Sequence, residues 1–89
     1  MCTSISRSVP VSGAARGASG WFDLKEATVG FDHSVHTRAE HALLVDFTNY
    51  GLGTGARVAV ELNLESGRAL VRALEEAIAA AEATGLPDD

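Results

Sequence analysis

Ala27-Thr28-Val29-Gly30-Phe31-Asp32-His33 and His41-Ala42-Leu43-Leu44-Val45-Asp46-Phe47 are two runs whose odd positions carry mostly apolar side chains. A period of two marks a strand with one face toward a core. Paired antiparallel with Val29 opposite Val45, the runs also set Ala27 against Phe47, Phe31 against Leu43 and His33 against His41. Every core-facing residue then meets another, as a sheet with one buried face requires. A slip by one residue would turn the apolar set toward water, whereas shifts by two keep the same facing.

The rest of the chain is placed outward from this hairpin. Residues 4–12 are β-prone, with Ile5, Val9 and Val11 on alternate positions, and Pro10 within them assigns the strand to a sheet edge. Residues 13–20 read as a flexible glycine-rich connection, after which Trp21 and Phe22 are expected to anchor the chain against the core. Strands follow at 24–33, 40–48 and 56–62, the last two joined by a turn-rich loop at 49–55. The period then lengthens to that of a helix, predicted over 64–84, with Asn63 as N-cap, Glu65 in the first turn, and Gly85 and Pro87 at its end. Its apolar stripe is Leu70, Val71, Leu74, Ala77, Ile78 and Ala81. The layout is ββββα: one α+β domain over residues 1–89, a two-layer sandwich of a four-stranded antiparallel sheet and one C-terminal helix, with a short tail at 86–89. The sheet face away from the helix mixes Thr28, Asp46, Arg57 and Glu61 with one large apolar residue, Leu44. That face is read either as solvated or as half of a homodimer interface.

Composition narrows the function classes. A formal charge of −5 without a basic stripe argues against nucleic acid, which is bound by neutralising phosphates. No apolar run approaches the roughly 20 residues that cross a bilayer, so no membrane partner is expected. The start of the chain lacks the apolar core of a secretory signal, and a single cysteine suits a reducing compartment, so a cytoplasmic protein is expected.

All three histidines lie between positions 33 and 41. Histidine is the commonest metal ligand. In the register above, the Cβ atoms of His33 and His41 would stand about 4.5–5.5 Å apart, close enough for two imidazoles to share an ion. His36, in the connecting loop, could fold back over them. The leading expectation is therefore a small metal-binding protein in which His33, His36 and His41 hold one divalent transition ion, with Cys2 as a fourth ligand if the first strand lies beside the hairpin. Imidazole suits Zn, Cu, Ni and Fe alike. An open coordination position would make a small metalloenzyme and a closed one a structural or metal-handling site; whether the protein is an enzyme is left open, with binding favoured. The alternatives are a metal-free homo-oligomeric interaction module and a pH-sensing hairpin. Asp32 and Glu40 flank the histidines as a solvated hairpin end or as acceptors that orient a ligand. The glycine-rich stretches at 13–20 and 51–55 lack the Lys-Ser/Thr ending and following helix of a phosphate loop.

The chain resembles a family of small uncharacterised proteins of high-GC bacteria that carry a domain of unknown function. The resemblance rests on Met1-Cys2-Thr3, on Gly20-Trp21-Phe22, and on the block Phe31-Asp32-His33, His36 and Ala39-Glu40-His41. The run 56–62 with its following helix matches as well. Ser34 stands where the family has proline, which loosens the turn without touching a histidine. The resemblance implies a compact single domain and adds no mechanism.

Overall fold

The computed structural model describes residues 5–37 and 40–87. Strands β1 (Ile5–Gly17), β2 (Gly20–His33), β3 (His41–Thr48) and β4 (Arg57–Leu62) precede one helix, α1 (Leu64–Thr84). The strands form an antiparallel meander in the order β1-β2-β3-β4, so the α+β layout ββββα is the observed one. The β2/β3 register is the one the alternation requires, from Ala27 opposite Phe47 to His33 opposite His41. β4 continues it, with Leu62, Val60 and Val58 opposite Leu43, Val45 and Phe47, so both sheet faces are uniform in parity across these three strands.

β1 is an edge strand, where the missing N–H of Pro10 costs no ladder bond. Its pairing shifts between Pro10 opposite Glu26 and Gly13 opposite Leu24, a bulge that inserts one extra residue. Beyond the bulge, the stretch expected to be a flexible connection is strand. Residues 13–17 pair with 20–24, a two-residue turn at Ala18 and Ser19 closes the hairpin, and Gly20 takes a φ of 115°. Glycine and alanine there supply no alternation to read, yet their backbones pair as well as any others. β2 therefore begins four residues before the expected Leu24. Trp21 is a second correction: it is 72% exposed, whereas Phe22 is half-buried beside Gly17. Successive strand residues point to opposite faces, so adjacent aromatics cannot both enter one core.

The loop after β3 is held by a buried asparagine. Asn49 donates its side-chain N–H to the Asp23 carbonyl at 2.9 Å and its backbone N–H to the Ala56 carbonyl at 3.0 Å. A short 3-10 turn (Tyr50–Leu52) starts from it. The helix begins and ends where its caps dictate. Asn63 accepts the Ser66 N–H at 2.7 Å, and Gly85 leaves the helix with a φ of 73°.

The second layer is closed at one point. α1 meets β3 through its first turn, where Gly67 lies against the Leu43 side chain. Every other residue of the helix is exposed, including Leu70, Val71, Leu74 and Ile78. Among the described residues the buried apolar set is Ala27, Ala42 and Ala56.

Gly30 marks the closest approach of β1 to β2. A Cβ there would lie 2.6 Å from the Ile5 carbonyl oxygen, a backbone atom that cannot swing away. Gly30→Ala is expected to cost about 1–3 kcal/mol in urea unfolding. An unchanged midpoint would show that β1 is not packed this tightly.

Candidate functional site

The histidine hairpin lies at the β2/β3 end. The Ser34 N–H donates to the Glu40 carbonyl at 3.1 Å, which makes residues 34 and 40 a hydrogen-bonded pair. His33 and His41 are thus a non-hydrogen-bonded pair, the kind whose side chains approach most closely. Their ring centroids are 4.4 Å apart with planes 31° from parallel. Phe31, two residues before His33 on the same face, also stacks with His41, centroid to centroid 5.7 Å, so His41 contacts two rings. All three belong to the sheet face that meets the helix.

His36 goes elsewhere. Residues 35–37 cross to the opposite sheet face and close on the carboxylate of Glu61. Val35 donates its N–H to Glu61 Oε2 at 3.1 Å, and His36 and Thr37 donate theirs to Oε1 at 2.8 and 2.9 Å. The His36 ring adds a contact from Nδ1 to Oε2 at 3.3 Å. Burial by itself would raise the Glu61 pKa. The N–H groups of His36, Val35 and Thr37, together with the His36 ring, outweigh it and bring the group to about 2 from an ordinary 4.5. Beside it on the same face, Arg57 donates to Asp46 through Nε at 3.2 Å and a terminal nitrogen at 3.0 Å. Leu44 and Ala59 line the open groove between these groups.

The structure therefore divides the predicted ligand set. It brings His33 and His41 together and places His36 on Glu61; Cys2 lies outside the described residues. Among the described residues, no group of three or more His, Cys, Asp and Glu side chains is arranged to hold a metal ion. Asp32 accepts the backbone N–H of His33 at 2.8 Å, fixing the strand end. The functional residue that the sequence reading passed over is Glu61, taken there as an outward strand residue. Its place opposite Leu44 follows from extending the alternation of β3 into β4, which puts it on the face beneath the loop.

The chain belongs to the Family of unknown function (DUF6295), whose model matches residues 1–87. No curated protein and no solved structure matches it. Among the described residues, no helix is long and apolar enough to cross a membrane.

A folded pKa below the ordinary value means that the ionised Glu61 stabilises the docked loop at pH above about 4.5. That contribution falls away as the pH drops from there through about 2. The amide signals of Val35, His36 and Thr37 are expected to keep their docked shifts down to about pH 5 and to move only in stronger acid. Glu61→Gln should release them at neutral pH. Amides that move in step with imidazole protonation would show that the His36 ring, and not the carboxylate, holds the loop.

Proposed function

We propose that this protein is a self-associating module in which two copies complete each other's hydrophobic core. The observation that carries this reading is the unburied area. The chain exposes 7029 Å², about 2,000 Å² more than the roughly 5,000 Å² of a compact 9.3 kDa chain. Its radius of gyration is 14.9 Å, against about 12 Å for a compact domain of this length. A stable protein–protein interface buries about 1,200–2,000 Å² in total, so each chain has ample surface left for one.

That surface has two parts that suit each other. α1 is about 30 Å long at the usual rise per residue, and among the described residues nothing buries its stripe of Leu70, Val71, Leu74 and Ile78. The helix-side face of the sheet leaves Ile5, Val9, Val29 and Val60 exposed. A second copy supplies the helix that this face lacks and the sheet that this helix lacks. A two-fold axis makes the exchange reciprocal, and one perpendicular to α1 sets the helices antiparallel. Arg68 and Arg72 in the first half of α1 would then face Glu75, Glu76 and Glu82 in the second half of the other helix. The single cysteine supports placing this module in the cytoplasm.

Light scattering coupled to size exclusion tests the reading at micromolar protein. The wild type is expected at twice the chain mass or more, and Leu74→Asp/Ile78→Asp at the monomer mass or unfolded. Leu44→Asp, on the opposite sheet face, should leave the mass unchanged. A monomeric wild type, or dissociation by Leu44→Asp alone, would overturn the assignment.

A further inference from the structure

We propose that His33 and His41 form a two-imidazole site for one divalent transition ion, independent of His36 and of the association described above. Both residues sit on paired strands at a non-hydrogen-bonded level, so their Cα positions are set by the sheet and not by a mobile loop. A site on such a scaffold is largely formed before the ion arrives.

The ring geometry fits the same conclusion. Metal–nitrogen bonds of about 2.0–2.1 Å place two ligand nitrogens about 3 Å apart on a common ion. Ring centroids 4.4 Å apart bring the two imidazoles within reach of a common ion, to which the rings, now tilted by 31°, would turn one nitrogen each. The stack of Phe31 on His41 restricts the movement of that ring. Each imidazole gives one nitrogen to the ion and keeps the other for its own hydrogen bond, the usual arrangement of a metal-bound histidine.

His36 is excluded by its Glu61 contact on the other face of the sheet. The shell is therefore two imidazoles with water in the remaining positions, an open and exchangeable site. Among the ions that imidazole favours, Cu²⁺ should bind most tightly, with Ni²⁺ and Zn²⁺ weaker. The acidic balance of the chain, −5 overall, favours cations in general.

Calorimetric titration of the untagged full chain with Cu²⁺, Ni²⁺ and Zn²⁺ tests the site, with electron paramagnetic resonance of the Cu²⁺ form to count coupled nitrogens. Saturable binding of one ion per chain is expected. His33→Gln and His41→Gln should each weaken it by more than the roughly tenfold that loss of an outer-shell partner costs. His36→Gln should leave it unchanged, and circular dichroism of each variant shows whether the fold survives. No saturable binding would overturn the proposal. So would equal loss in His36→Gln, which would mean a three-imidazole site, or full binding in both His33→Gln and His41→Gln. Because the Leu74→Asp/Ile78→Asp variant leaves the hairpin untouched, binding retained by it in folded form separates this site from association.

Discussion

Among the described residues, two apolar surfaces meet at the junction of Gly67 with Leu43, and that constraint governs the rest of the structure. One surface is the sheet face built by the odd residues of β2 and β3; the other is the stripe along α1. Only Asn63 separates β4 from the helix, and its side chain caps the first turn, so the direction in which α1 leaves the sheet is set locally. From the junction the helix runs outward, and neither surface covers the other within one chain. Apolar burial is the main favourable term in folding. A fold that leaves this much area in water has the surface that the proposed association would cover.

The β2/β3 register links that constraint to the histidine end. Because Val29, Phe31 and His33 share one face with Leu43 and His41, the imidazole pair sits at the margin of the same apolar surface that a second copy would cover. The opposite face has a different character. There Glu61 gathers three backbone N–H groups and pins residues 35–37, while Asp46 and Arg57 pair beside it. The hairpin end is thus divided between two faces. One carries stacked rings, the other a carboxylate that orders the connecting loop.

Much of this was legible in the residues. Strict alternation with β-branched and aromatic side chains identified β2, β3 and β4, and the requirement that apolar positions oppose one another gave the observed facing, while shifts by two met it equally well. Asn63 and Gly85 marked the ends of α1 because capping chemistry is local. The glycine-rich arm at 13–17 was opaque, since its strand character comes from pairing with 20–24 and not from its own side chains. Trp21 shares the odd parity of Ala27 and Val29 yet is exposed, so neither its size nor its parity gives its place. The divergence of His36 depended on Glu61, 25 residues away, a contact that closeness in sequence to His33 and His41 concealed. The uncovered helix was hidden for a similar reason: an apolar stripe shows that a face will be buried, but not in which copy of the chain.

Isotope-filtered NMR on a mixture of ¹³C-labelled and unlabelled chains examines the core directly. Methyl contacts from Leu74 and Ile78 of labelled chains to Val29, Val45 or Val60 of unlabelled chains are the expected result. If those contacts occur only within single labelled chains, or do not occur at all in a particle of monomer mass, the helix and sheet do not complete each other between copies.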